Sequence, residues 1–321
     1  MEKEDLKIVF LGTPDFAVES LRRLHEGGYN IVGVVTMPDK PAGRGHKLLQ
    51  SPVKQYAVEH GLRLMQPPNL KAEDFVEELR SLNADLFIVI AFRMLPEVVW
   101  SMPRLGTFNL HASLLPKYRG AAPINWAVIN GDTETGVTTF FLKHEIDTGD
   151  IIRQERVEIR PEDNVGDVHD RLMILGADLT LDTIQHILNG DLKTISQDDL
   201  LQGAEPTPAP KIFKDTCHLD WTSKAVSVHN LVRGLSPYPA AWTEFFDGDS
   251  EPLTAKIFET ATIEYSGCLT PGKVTIESGR MYVDCADARI EILSLQVAGK
   301  KRMPVADFLR GSRFGSSVFV R

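Results

Sequence analysis

Four short apolar runs dominate the first third of the chain: LKIVFL (6–11), IVGVV (31–35), DLFIVIAF (85–92) and TFNLHA (107–112). Each is long enough for a strand buried on both faces and far too short to cross a bilayer. Helix-like stretches separate them. In GTPDFAVESLRRLHEGG, Phe16, Val18, Leu21 and Leu24 recur on one stripe, Gly12 and Pro14 mark the entry, and Gly27-Gly28 end it. AEDFVEELRSL (72–82) has the same character. Strands that alternate with helices must be joined by crossovers, which predicts an α/β fold: a parallel sheet with helices on both faces.

Further along, TGVTTFFL (135–142) and IIRQERVEI (151–159) read as additional strands, and VGDVHDRLMILGADLTLDTIQHIL (165–188) as a long amphipathic helix. The segment NGDLKTISQDDLLQGAEPTPAPKIFKD (189–215), rich in Pro, Gly and Asp, reads as an interdomain linker. Beyond it, HNLVRGLSP is a short helix. AAWTEFF, LTAKIFETATI, GKVTIES, RMYVDCA and ARIEILSLQ then follow at turn spacing, which predicts a small β-barrel. A chain of 321 residues accommodates two such domains. The expected division is a catalytic domain over 1–190, a linker over 191–210 and a barrel domain over 211–321.

The amino terminus, MEKEDLKIVFLG, has neither the charge nor the apolar length of a signal peptide. The three cysteines are Cys217, Cys268 and Cys285, an odd number without CxxC spacing. Neither a disulfide framework nor a zinc site is expected, and sparse cysteine favours the cytoplasm. The net charge of -9 argues mildly against a protein that coats nucleic acid. That charge is concentrated before residue 206, and the remainder is close to neutral. FLGTPDFA occupies the place of a dinucleotide fingerprint but lacks G-x-G-x-x-G. Gly12 and Pro14 are therefore read as turn formers that stand at the carboxyl end of a strand, where α/β proteins bind ligands.

A chemical constellation lies between Phe108 and Ile152. Asn109 and His111 are two apart on one strand and so share a face, just before the loop SLLPKYRG. Asp147 sits in the turn EIDTGD, between two β segments that return it toward His111. An amide, an imidazole and a carboxylate suit acyl transfer to an amine. Asn109 can donate to a developing oxyanion, a contribution of about 2.7–4 kcal/mol, and a protonated His111 can do the same. Asp147 can orient the imidazole, favour its charged form and relay a proton toward the leaving nitrogen. No serine or cysteine nucleophile accompanies them, so direct transfer is expected, without an acyl-enzyme. Taken singly, each residue also fits a structural role. His144 is expected to be exposed in its charged KHE run, and His169 to pack on the long helix.

FNLHASLLPKYRGAAPINWAVINGDTETGVT together with IDTGDII resembles the 10-formyltetrahydrofolate-dependent formyltransferases. The N-x-H pair, the SLLPKYRG loop and the downstream aspartate match in order and spacing. The resemblance implies a Rossmann-like catalytic domain, Asn109, His111 and Asp147 as the catalytic set, and 10-formyltetrahydrofolate as co-substrate with no metal. It places the pterin near Phe92, Arg93, Met94 and Leu95, near the loop Ser113, Leu114, Leu115 and Pro116, and near Ile146. FLKHEI before Asp147 is more polar than the family pattern, and AFRML departs from its usual form. Both departures concern folate contacts. FLGTPDFAVESLRRL, VVTMPDKPAGRGHKLLQSPVKQYA, KIFKDTCHLDW, VRGLSPYPAAWT and GKKRMPVADFLRG extend the resemblance over nearly the whole chain. They are similar to the branch of the family that formylates methionyl initiator tRNA, and an OB-like C-terminal domain is implied.

The insertion KPAGRGHKLLQSPVK (40–54) suits a loop that orders on RNA, since lysine and arginine make phosphate contacts. By resemblance Lys40, Arg44, Lys47 and Lys54 would face tRNA, with Arg44 central. Lys211 in the linker and Lys300, Lys301 and Arg302 on the barrel would add to this surface. A mobile solvated loop and a solubilising turn explain the same residues without RNA. A monomer is expected. Three other readings remain open: a formyltransferase for an amino sugar nucleotide, a non-catalytic tRNA-binding protein, and a hydrolase that passes the formyl group to water.

Overall fold

In the computed structural model, the described residues are 2–42, 47–248, 250–311, 314 and 318–321. They form two compact units. The first comprises Met1–Gly120, Thr135–Val157 and His169–Pro208; the second comprises Ala121–Glu134, Glu158–Val168 and Ala209–Arg321.

The first unit is built on a seven-stranded sheet. Its strands are β1 (Ile8–Gly12), β2 (Ile31–Val35), β3 (Leu64–Met65), β4 (Leu86–Ile90), β5 (Thr107–His111), β6 (Glu134–Phe141) and β7 (Ile151–Glu158), in the order β7-β6-β5-β4-β1-β2-β3. The five strands from β5 to β3 are parallel, as the alternation with helices requires. β6 is antiparallel to β5, pairing Thr138 with His111 and Phe140 with Asn109. The chain order reverses between β1 and β4, so the carboxyl ends of those strands open a crevice of the kind in which α/β proteins bind ligands.

Alternate residues of these strands serve opposite faces. Val9, Leu11, Phe87 and Val89 belong to a core with Phe75, Val76 and Leu79 of the helix Glu73–Ser81. On β5, Leu110 packs against Gly176 of the helix Val165–Asn189. Asn109 and His111 therefore point to the other side, where Asn109 stands beside Val89. The insertion differs from the loop expected there. Lys40–Ala42 and Lys47–Leu49 pair as a two-stranded antiparallel ribbon, and Arg44 lies outside the described residues.

The second unit contains the expected small barrel. Its strands are β8 (Ala241–Asp247), β9 (Leu253–Ile263), β10 (Val274–Glu277), β11 (Arg280–Asp284), β12 (Arg289–Val297) and β13 (Val318–Val320), in the order β10-β11-β12-β9-β8-β13, all antiparallel. Ser278 and Gly279 both have positive φ and make the two-residue turn between β10 and β11. A register shift at Ile257–Thr260 bends β9. The Val320 N–H donates to the Gly272 carbonyl at 2.8 Å and Lys273 bridges to Phe319, which nearly closes the cylinder. Gly272 has φ +82°, and a Cβ there would stand 2.6 Å from the Val320 carbonyl oxygen, so this seam requires glycine. Phe245, Ile257, Met281, Ile290, Ile292 and Leu295 fill the interior with Trp221 and with Val228, Val232 and Leu235 of the helix Ala225–Leu235.

No helix among the described residues is long and apolar enough to cross a membrane.

Candidate active site

The residues singled out between Phe108 and Ile152 converge in the first unit at the carboxyl end of β5. His111 is 7 % exposed and Asp147 9 %. The His111 Nε2 lies 2.8 Å from the Tyr118 carbonyl. A carbonyl oxygen only accepts, so Nε2 carries the hydrogen and donates it. The other ring nitrogen, Nδ1, faces Asp147 Oδ2 at 3.9 Å. That separation is too long for a hydrogen bond. It leaves room for a third polar atom to bond to both groups. The nitrogen that faces the carboxylate is thus the one that gains a proton when the imidazole becomes charged.

The orientation of the ring differs from the expectation that Asp147 would set it. The Tyr118 carbonyl holds His111. Asp147 is itself held by the Gly120 N–H, which donates to Oδ2 at 3.0 Å. Tyr118 and Gly120 of the motif loop thus act through their backbone. Ala91, Tyr118 and Asp147 all adopt left-handed φ, at +47°, +60° and +56°. Such a conformation costs a non-glycine residue on the order of 1 kcal/mol and persists where surrounding contacts impose it.

The contacts that hold the loop from Ser113 to Lys117 and the turn of Asp147 are identifiable. Thr138 Oγ1 donates to the Ser113 carbonyl at 2.6 Å and accepts from the Leu115 N–H at 3.2 Å. Gln154 Nε2 donates to the Leu115 carbonyl and to Thr138 Oγ1. Ser113 Oγ donates to the Lys117 carbonyl at 2.7 Å. Leu115 packs with Phe140 and Ile151. Across the turn, a Cβ on Gly149 would lie 1.6 Å from the Phe141 carbonyl oxygen. No side chain fits there, so the turn that presents Asp147 depends on glycine at 149. Gln197 completes the frame. Its Nε2 donates to the carbonyls of Asp147 and Gly149, each at 2.8 Å.

Asn109 is half-buried, and its Oδ1 is buried with no hydrogen-bond partner. A buried amide oxygen without a partner costs free energy in the resting protein, and the amide can turn to offer its N–H instead. Asn109 thus keeps bonding capacity on the face it shares with His111.

The residues expected to contact folate divide into two groups. Ser113 and Leu115 are buried in the loop's own packing. Leu95 is buried beside Val99, and Leu114 packs over Gly136. Phe92 and Pro116 are half-buried, while Met94 and Ile146 are exposed. The Arg93 guanidinium donates to the carbonyls of Pro67 and Pro68 and lies 5.7 Å from the Phe92 ring. Burial pushes it down from the usual arginine range. His144 is exposed as expected, paired with Glu97 at 3.3 Å and set edge-on to Trp100. His169 packs against Phe16.

Of the residues expected to face RNA, Lys40 is exposed on the ribbon, and Arg44 is among the undescribed residues. Lys47 closes the ribbon opposite Ala42. Lys54 is mostly buried and forms an ion pair with Asp39 at 2.5 Å. In the second unit, Lys211 lies 5.6 Å over the exposed Phe213 ring. Lys300 and Lys301 are exposed in a turn. Arg302 is engaged by Glu259 and by Ser294 Oγ, and it covers the Phe258 ring. Lys54 and Arg302 are therefore held by neighbours, a fact invisible in a count of positive charges.

Sequence reasoning missed Gln197, Thr138 and Gln154. Thr138 and Gln154 lie in ordinary strand sequence. Gln197 sits within the stretch read as linker, where the short helix Gln197–Leu201 forms and Ile195 bridges to Ile151.

The formyl transferase model matches residues 6–184, and the model of the formyl transferase C-terminal domain matches 211–313. The methionyl-tRNA formyltransferase of Phocaeicola vulgatus is 63% identical, with 98% of each chain covered. That of Bacteroides thetaiotaomicron is 61% identical over the same shares. Among solved structures, an N-formyltransferase from Helicobacter canadensis, in complex with folinic acid and dTDP-3-aminofucose, superposes with a TM-score of 0.65 at 20% identity. The match covers 89% of this chain and 98% of that one, and the similarity is one of fold.

Proposed function

The chain belongs to the formyl transferase family, and we propose that it moves the formyl group of 10-formyltetrahydrofolate onto the α-amino group of methionine carried by initiator tRNA. The observation that carries this reading is the arrangement at the end of β5. His111 and Asp147 are oriented by backbone groups, and the Asn109 amide lies on the same face with bonding capacity in reserve. The relatives named above, identical to this chain at more than 60% of positions, support the choice of acceptor.

The neutral amine attacks the formyl carbon. An α-amino group titrates at about 7.7–8.0, so a fair share is neutral in the cell. Charge grows on the formyl oxygen, where the Asn109 amide donates and where His111 donates from Nδ1 once that nitrogen carries a proton, its Nε2 hydrogen being held by the Tyr118 carbonyl; one such donor contributes about 2.7–4 kcal/mol. The attacking nitrogen loses a proton, the bond from carbon to the folate N10 breaks, and N10 gains a proton. Asp147, 3.9 Å from His111 Nδ1, assists that movement. No metal takes part.

Phe92 to Leu95, the loop Ser113 to Pro116, and Ile146 form the folate side of the site in this reading. Ser113 and Leu115 act by shaping the loop. On the RNA side, Lys40, Arg44 and Lys47 of the insertion make phosphate contacts, with Lys211, Lys300 and Lys301 contributing from residues 211–321. Lys54 and Arg302 contribute less, because each already has an acidic partner. Residues 1–190 carry the catalytic groups in this reading, and the segment 191–210, expected as a linker, supplies Gln197 to the frame of the site. The protein works as a monomer in the cytoplasm.

Single-turnover transfer from 10-formyltetrahydrofolate to methionyl initiator tRNA tests the proposal, with a small amino-sugar acceptor and a no-acceptor control. Fast formylation of the tRNA supports it. Transfer to the sugar alone, release of formate without acceptor, or tRNA binding without turnover would each replace it with a different activity.

A further inference from the structure

We infer that Gln197 is a positioning residue for Asp147, and that it sets the geometry of the carboxylate at His111. The inference rests on the proposed formyl transfer for its kinetic test.

The side chain of Gln197 is 1 % exposed, and each of its polar atoms is engaged. Nε2 donates to both the Asp147 and Gly149 carbonyls at 2.8 Å, clamping the turn on either side of Thr148. Oε1 accepts from Arg119 Nε at 3.0 Å and from Arg119 Nη2 at 2.8 Å. Arg119 is the middle residue of the tripeptide that holds the rest of the site. Its neighbour Tyr118 fixes His111 through its carbonyl, and its neighbour Gly120 fixes Asp147 through its N–H. Three consecutive residues thus anchor the imidazole, the glutamine and the carboxylate.

The glutamine closes this ring from a distant part of the chain. The Ile195 and Ile151 backbones exchange two hydrogen bonds at 2.9 Å, which fixes Gln197 beside the turn. The Arg119 N–H donates to the Thr207 carbonyl at 3.1 Å, a second tie to the same segment. Asp147 holds left-handed φ while its carboxylate accepts from the Gly120 N–H, and Gly149 is wedged against Phe141. A turn so conformed relaxes if its two carbonyls lose their shared donor. The carboxylate would then move relative to His111 Nδ1. An amide is required here because one group must donate to carbonyls while its other atom accepts from a guanidinium.

Gln197→Glu keeps the size of the side chain and both acceptor contacts to Arg119, but it removes the donor and places negative charge against two carbonyl oxygens. Gln197→Met removes donor and acceptor together and serves if the first variant folds poorly. Both are measured with Asp147→Asn and the double variants. We expect kcat per folded molecule to fall at least tenfold in Gln197→Glu, with KM for folate and for tRNA within twofold. In the Asp147→Asn background the same change should cost less than twofold, because the residue acts through a group already removed. Wild-type kcat in both variants, a loss carried by KM, or losses that multiply in the double variants would overturn the inference.

A readout independent of turnover accompanies these. The imidazole nitrogen resonances of His111 should move in Gln197→Glu and stay in place in Thr243→Val, a buried substitution in the barrel. If the wild type formylates no tRNA, the proposed activity fails while the resonances still decide the role of Gln197. Unmoved His111 resonances in both Gln197 variants would sink it.

Discussion

Asp147 in the first unit and Asp284 in the second are both buried carboxylates, held in opposite ways. Asp284 accepts from Arg289 Nε at 2.7 Å and from the Thr270 N–H at 3.0 Å, one partner for each oxygen. Arg289 in turn lies 3.4 Å over the Tyr265 ring. Asp147 accepts from one backbone N–H and faces an imidazole nitrogen across 3.9 Å without bonding to it. A buried polar group whose bonds are all made stabilises or specifies a fold. One that is oriented but incompletely bonded keeps its capacity for a substrate. The same contrast separates Asn109, with a buried oxygen lacking a partner, from Thr243, which accepts from Trp221 and donates to the Arg321 carbonyl.

The sharpest way to break this comparison is to neutralise each aspartate. Asp147→Asn should lower single-turnover formylation by about 10²–10⁴-fold, the range of a lost general acid–base group, while the melting temperature stays within a few degrees. Asp284→Asn should do the reverse. It leaves Arg289 buried without its counter-charge, a loss of about 3–5 kcal/mol, while turnover per folded molecule is retained. Calorimetry and single-turnover kinetics on both variants decide the matter. A destabilised but fully active Asp147→Asn would erase the distinction.

Next in size are two glycines that each allow a close approach. Gly149→Ala drives a methyl group into the Phe141 carbonyl and must open the turn two residues after Asp147. Turnover should fall by about 10²-fold, the order expected when a reacting group is displaced by about 1 Å. Gly272→Ala meets the Val320 carbonyl from a left-handed backbone and should open the barrel seam. There the loss appears as a lower melting temperature. If both variants lose only stability, Gly149 has no special bearing on the site.

Much of this was legible in the residues. The apolar runs placed β1, β2, β4 and β5, and N-x-H on β5 placed an amide and an imidazole on one face, because strand periodicity is strict. The small barrel was legible from short strands at turn spacing. What escaped was bonding through the backbone or through single side chains in unremarkable sequence. The Tyr118 carbonyl and the Gly120 N–H hold the site, and main-chain groups carry no residue signature. Gln197 lies among Asp, Gly and Pro residues whose composition reads as linker, and one buried amide leaves no period. The pairing of Lys54 with Asp39, and of Arg302 with Glu259, depends on partners 15 and 43 residues away.

A smaller effect separates the basic groups of the two units. Replacing Lys40, Arg44 and Lys47 together by alanine should raise KM for tRNA and lower the slope of log affinity against log salt by about 2, at roughly 0.7–0.9 for each phosphate left without its cation. Replacing Lys300 and Lys301 should lower it by about 1.5, two phosphates on the same scale. Arg302→Ala should change it least, because its guanidinium is already engaged by Glu259 and Ser294. A barrel set that outweighs the ribbon set would move the main RNA surface to the second unit.

The smallest effect concerns thiols and bears on how tightly the barrel is closed. Cys268 is exposed, whereas Cys217 and Cys285 are buried in the barrel core. Burial pushes the Cys285 thiol up to about 12, with Asp287, Asp284 and Asp220 adding in the same direction, and burial raises Cys217 as well. The thiolate is the reactive species. A raised value therefore keeps Cys285 almost wholly in the unreactive thiol form at pH 8 and at pH 9. Alkylation of the native protein, mapped by mass spectrometry, should label Cys268 alone. In Gly272→Ala the seam opens, and Cys285 should begin to label at a rate set by that opening. Rapid labelling of Cys285 in the wild type would mean that the barrel opens readily without the substitution, and the contrast between a closed second unit and a site kept ready for substrate in the first would lose its physical basis.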